Sequence, residues 1–214
     1  MARSATEALC FNLSQCIHAT AQPLAVLRAS LGNSRVEQMG VEELRELALS
    51  SSVEVERLCS LFSCLQQLVS TGSTKAQLAE TPIQPLLEHV VDGVNLLYKE
   101  DQISFRSIVA GDCKPVLIDK ARTLQALSTI LLIAHAVSRP QDTVELIASS
   151  SSSNAVRVVV RNLTSCVDAM NAETSLSMAF AEANIRSQQA DFCWSLKPFS
   201  VQIEFEGVSL ASCS

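Results

Sequence analysis

Cys16-Ile17-His18-Ala19-Thr20-Ala21-Gln22-Pro23-Leu24 lies inside a long helical pattern and sets a histidine five residues ahead of a proline. Proline in a helix interior costs about 3 kcal/mol relative to alanine and frees the carbonyl four residues back, here that of Ala19. The pattern is nonetheless helical from residue 5 to 31. Leu9, Leu13, Cys16 or Ile17, Thr20, Leu24, Leu27 and Leu31 recur at steps of three and four, and Gly32-Asn33 supplies a stop. His18 lies off this apolar seam. Its neighbours one turn away are Ser14, Gln15, Ala21 and Gln22, with Ala25 and Ala29 further along, so its face is polar or small-chained. Taken alone, an exposed histidine on such a face is an ordinary surface residue.

A second helical pattern runs from about Val41 to Val69 through Leu44, Leu47 with Ala48, Ser51, Val55, Leu58, Leu61 or Phe62, Leu65 and Leu68. Glu42 and Glu43 load its first turn, as the helix dipole favours. Two long helices joined by a short loop make an antiparallel hairpin, and a lone hairpin leaves part of each wide apolar seam wet. Pairing two hairpins into a four-helix bundle covers it, which predicts a homodimer. Thr71-Gly72-Ser73-Thr74-Lys75 breaks the pattern and begins a linker.

From Pro82 the character changes. A helix starts at Pro85 and reaches Tyr98; Ile103–Ala110 alternates as a strand, and Gly111-Asp112 turns. Pro115–Ile118 is a short strand, after which Asp119 caps an apolar helix from Lys120 to Ser138 that Pro140 closes. Thr143–Ala148 and Ala155–Arg161 flank the serine run 149–153, with Val156, Val158 and Val160 on one face and Arg157 and Arg161 on the other. A helix from about Ala172 to Gln188 follows. Phe192–Leu196 and Val201–Phe205 then close the chain as an antiparallel pair turning at Lys197-Pro198. The order predicts an α+β sandwich with helices on one face of a mixed sheet. The division expected is 1–72 for the hairpin and 80–214 for the sandwich.

Composition bounds the function. At 214 residues and 48% hydrophobic the chain can bury a large core, but with only 4% aromatics that core is aliphatic. A net charge of -6 argues against sequence-independent nucleic-acid binding, which needs a basic face, and against an anionic membrane surface. The N-terminus does not read as a signal peptide, and no run of about 18 apolar residues predicts a membrane span. Eight cysteines show neither CxxC pairing nor metal-ligand spacing, which fits reduced thiols and a cytoplasmic location.

A histidine-bearing hairpin followed by a sandwich in this order resembles a two-component histidine kinase, the hairpin its dimerisation and histidine-phosphotransfer domain and the sandwich its ATP-binding domain of the GHKL type. The motif that carries the resemblance is His18-Ala19-Thr20-Ala21-Gln22-Pro23-Leu24, which is similar to the kinase H-box. The resemblance implies that His18 accepts a phosphoryl group and that Gln22, one turn on, contacts it.

Three departures narrow the reading. Ala19 stands where the H-box carries an acidic residue. The helix matching the family's magnesium-holding N-box contains no asparagine, with Ile130 and Ala134 at the corresponding positions. No glycine occurs between Gly111 and Gly207, and Ser175-Leu176-Ser177-Met178 stands where the family has a Gly-Leu-Gly-Leu helix start. The sandwich is therefore expected to be degenerate and not to bind ATP as the family does. The function expected is that of a kinase-derived histidine phosphotransferase, passing phosphate between receiver aspartates through His18. It needs no cofactor of its own, since magnesium comes with the partner receiver domain. The alternative is a non-catalytic adaptor that sequesters a response regulator or a kinase. His89 and His135, within helices, read as surface or satisfied core residues.

Overall fold

The computed structural model describes residues 20–30, 39–73, 75–111, 113–151, 155–164 and 170–207. The chain divides into two compact units. One takes in residues through Val69 together with Asn171–Leu176, the other Ser70–Met170 and Ser177–Ser214.

In the helical unit the described residues 20–30 are helical (α1), and α2 runs from Val41 to Ser73. Pro23 sits within α1 with helical residues before it, and its ring is buried. Thr20, Leu27 and Ser30 are half-buried at steps of three and four around it, while Leu24 is 52% exposed. The covered stripe therefore runs through Pro23, about 100° round the helix from the expected Leu24. On α2 the covered stripe is Leu47, Ser51, Glu54, Leu58 and Leu61, a heptad-like run of fours and threes. Leu47, Ser51, Leu58 and Leu61 fall where the periodicity predicts. Leu44 and Val55, 38% and 48% exposed, do not, and Glu54 takes the place of Val55. Gly40 precedes α2 and its N–H donates to Glu43 Oε2 at 2.9 Å, so the acidic first turn works as a cap as well as a dipole partner. The helix passes through Gly72 to Ser73 before it stops; one glycine costs only about 1 kcal/mol against alanine, too little to end it at Thr71.

The second unit contains β1 (Ala79–Thr81), α3 (Ile83–Glu100), β2 (Ser104–Ala110), β3 (Val116–Ile118), α4 (Lys120–Ala136), β4 (Thr143–Ser150), β5 (Ala155–Asn162), most of α5 (Ala172–Arg186), β6 (Asp191–Leu196) and β7 (Phe199–Glu206). Five strands form one sheet in the order β2-β4-β5-β7-β6, with β2 parallel to β4 and the other neighbours antiparallel. The sheet is mixed, as expected. The β1 strand, absent from the sequence reading, pairs with β3 in a small antiparallel sheet. Three residues are too few to show an alternation.

Strand alternation decides what faces the helices. Val156, Val158 and Val160 of β5 and Phe199, Val201, Ile203 and Phe205 of β7 are buried together with Val90, Leu127, Ile130, Met178 and Ile185 from the three helices. The opposite face carries Arg157 and Arg161, whose guanidiniums pair with Glu204 at 3.3 Å and Glu145 at 2.8 Å. Asp119 caps α4 by accepting from the Arg122 N–H at 3.2 Å, as read from sequence. Its other oxygen accepts from the Gln77 N–H at 2.9 Å, so one carboxylate fixes both the helix start and the chain entering β1. Gly111, at φ 72°, makes the turn after β2 in a conformation that side chains disfavour.

Candidate functional site

His18, the residue read as the phosphoacceptor, lies outside the described residues. Gln22 lies on α1 and is exposed. The α1 surface around it consists of Ala21, Ala25, Val26 and Ala29, also exposed. Small side chains there let another backbone come close, and Val26, 42% exposed, offers an apolar contact. Gln22 presents an amide with donors and acceptors to whatever reaches this surface.

In the sandwich, the α4 positions assigned to the N-box lie in the core: Ile130 and Ala134 are both fully buried. Around them Ala126, Leu127, Leu131 and Ile133 are buried too, and Thr123 is the one buried residue of α4 with a side-chain oxygen. That hydroxyl donates to Gln188 Oε1 at 3.1 Å, which also accepts from the Asp119 N–H at 2.7 Å. The inner face of α4 therefore has no carboxylate or amide oxygen to give a cation. At the start of α5 the Asn171 side chain accepts from the Thr174 N–H at 2.7 Å, so one of the first-turn donors that could meet a phosphate is already satisfied.

The core-facing row of β5 runs Val156, Val158, Val160 and then Asn162, which is 1% exposed and brings an amide to the end of an otherwise apolar strand. Buried amides must be hydrogen-bonded. The Asn162 Nδ2 donates to Ser138 Oγ at 2.7 Å and to Asp142 Oδ2 at 3.1 Å. Its Oδ1 accepts from the Thr164 N–H at 2.9 Å. Thr164 Oγ1 in turn donates to Asp142 Oδ1 at 2.6 Å, and Asp142 Oδ2 accepts from the Arg139 N–H at 2.8 Å. This cluster joins the α4–β4 connection to the chain leaving β5, and the sequence reading missed it. The available signal was Asn-Leu-Thr directly after an alternating strand, with Asp at the foot of its neighbour.

Of the other histidines, His89 is exposed on α3. His135 lies half-buried near the end of α4, with Nε2 at 2.8 Å from Asp101 Oδ2 and its ring edge-on to Tyr98. His135 and Asp101, together with Glu100, Gln102, Ile103, Ser138 and Pro140, line an open cleft of about 360 Å³. Tyr98 is fully buried and donates to the Leu131 carbonyl at 2.7 Å; burial pushes its phenol well above the usual tyrosine range. Among the described residues no three His, Cys, Asp or Glu side chains are placed to hold a metal ion, and no helix is long and apolar enough to cross a membrane.

No family model and no curated protein matches the sequence. Solved structures do match. The histidine kinase AdeS of Acinetobacter baumannii aligns at a TM-score of 0.68 and 14% identity, over 90% of this chain and 98% of that one. Histidine kinase ThkA, solved in complex with the response regulator TrrA, aligns at 0.69 and 14% identity, over 90% of this chain and 59% of that one. Full-length ShkA, solved with AMPPNP, aligns at 0.65 and 18% identity over 92% of this chain, which spans about half the length of ShkA (46%). The protein has a histidine kinase-like fold, with a mixed sheet in its α+β unit.

Proposed function

We propose that this protein is a histidine phosphotransferase of a two-component phosphorelay, taking a phosphoryl group from one receiver aspartate and passing it to another through His18, without binding ATP. The observation that carries the reading is a kinase-like fold whose matching helix, α4, turns only apolar side chains and one engaged threonine inward. An ATP site of the family's kind needs oxygen ligands for magnesium and backbone free to approach phosphate; no glycine occurs between Gly111 and Gly207 to permit that approach.

Phosphoryl transfer depends mainly on positioning and charge stabilisation. The nucleophile would be the neutral imidazole of His18. Its nitrogen attacks the phosphorus of an acyl phosphate as the aspartate oxygen leaves, with magnesium supplied by the receiver. Gln22, exposed on the small-chained face of α1, would hydrogen-bond the phosphoryl oxygens. A receiver partner is supported by the match to ThkA in complex with TrrA.

Homodimerisation is part of the proposal. Besides the covered stripe of α2, a second stripe of Leu44, Ala48, Val55, Cys59 and Phe62 recurs at helical steps and is exposed, with Phe62 at 55%. A second hairpin laid on this stripe would remove it from water. Light scattering on the eluting protein should give twice the 23.1 kDa chain mass, and Val55→Glu with Phe62→Glu should give the chain mass. The second reading, a pseudokinase adaptor, is favoured by Ala19, where the H-box has an acidic residue. It predicts that a receiver binds while no phosphohistidine forms. Incubation with a ³²P-labelled receiver decides between the two.

A further inference from the structure

We propose that the cluster of Ser138, Asp142, Asn162 and Thr164, built on the buried Asp142 and Asn162, is a conformational latch that ties the β5 end of the sandwich together with the chain's own side chains, in place of a bound ligand. This rests on the reading that the sandwich takes no ATP, and it deepens that reading by naming what fills the role.

The cluster is closed on itself. Both amide hydrogens of Asn162 meet oxygen acceptors, Ser138 Oγ and Asp142 Oδ2, and its carbonyl oxygen meets the Thr164 N–H. Ser138 Oγ, having accepted from Asn162, donates to the Ala134 carbonyl at 2.6 Å. Asp142, only 8% exposed, has an oxygen on Thr164 Oγ1 and the other on the Arg139 N–H as well as on Asn162. Next to it the Leu163 N–H continues the β4 ladder onto the Thr143 carbonyl at 2.9 Å. Three pieces of chain are thereby pinned together: the end of α4, the turn into β4 and the residues that follow β5. A buried polar group left open is costly, and a recognition site must leave some groups open for its ligand. At this end of the sandwich the amide, the carboxylate and both hydroxyls are already engaged internally, so the segment is held without a ligand.

The latch depends on an amide at 162 facing a carboxylate at 142. Asn162→Asp would set two carboxylates 3.1 Å apart in a buried site, with no donor between them. Thermal unfolding of the full chain, followed by the fluorescence of its sole tryptophan, Trp194, tests this. Asn162→Asp should lower Tm by roughly 5–10 °C, and the near-isosteric Thr164→Val by a few degrees. At pH 5 the Asn162→Asp loss relative to wild type should shrink by at least half, because a proton shared between the two carboxylates restores the donor, which a purely steric effect would not show. Asn162→Asp unfolding within 2 °C of wild type at pH 8, or a loss as large at pH 5 as at pH 8, overturns the latch. The variants are compared without nucleotide. A rise of wild-type Tm on adding magnesium-ATP is a separate result and counts against the reading that no ATP is bound.

Discussion

Removing the Tyr98 hydroxyl tests the packing that holds α3 to α4. The ring is fully buried, 4.8 Å from the Phe105 ring between centroids, and its O–H donates to the Leu131 carbonyl at 2.7 Å. Tyr98→Phe keeps the ring and deletes one buried hydrogen bond, so it should cost about 1–1.5 kcal/mol at pH 8. The pH dependence is the sharper test. Burial raises the native phenol above its ordinary value of 10.0, so the native state keeps a proton that the unfolded chain releases. The advantage of the wild type is therefore complete below pH 10 and shrinks as pH climbs above it, by about 1.4 kcal/mol per unit for one proton. By pH 11 wild type and Tyr98→Phe should be nearly equal in stability. Urea unfolding at pH 8 and pH 11, read by Trp194, measures the difference, and taking the difference cancels the titration of lysines common to both. An equal gap at the two pH values would refute the burial-raised phenol, and no gap at pH 8 would refute the contribution of its hydrogen bond.

Two further substitutions probe the scaffold. Asp119→Ala removes the α4 cap and the acceptor for the Gln77 N–H, and should destabilise the chain by about 1–2 kcal/mol in the same urea assay. Ile130→Asn places an amide in a fully buried apolar site and should cost about 3 kcal/mol without creating nucleotide affinity by calorimetry. Micromolar ATP binding in that variant would show that this side of α4 faces a cleft.

Long periodic segments were legible from sequence because burial enforces their period. The Val156, Val158, Val160 alternation, the Asp119 cap and the helix through Ile130 all stand where periodicity and capping rules put them. What failed was finer than one turn. Pro23 rather than Leu24 is covered on α1, and Glu54 rather than Val55 on α2, because stripes drawn at steps of three and four tolerate a one-residue rotation that the packing does not. The β1 strand was invisible because its three residues gain their structure from β3. At the candidate site, Gln22 was legible as an exposed residue because its neighbours at helical spacing are small. The Asn162 cluster was not, because its members come from two separate stretches and meet only through the β4–β5 register, which pairs Val144 with Asn162.

The central claim is that phosphate enters and leaves this chain through His18. Radiolabelled phosphoryl transfer from a phosphorylated receiver domain measures it directly, with wild type, His18→Ala and Gln22→Ala run side by side and no ATP present. The account predicts acid-labile, alkali-stable label on wild type, none on His18→Ala, and transfer to Gln22→Ala slowed by about tenfold, the worth of one charge-assisted hydrogen bond. Label appearing on His18→Ala as fast as on wild type would contradict it.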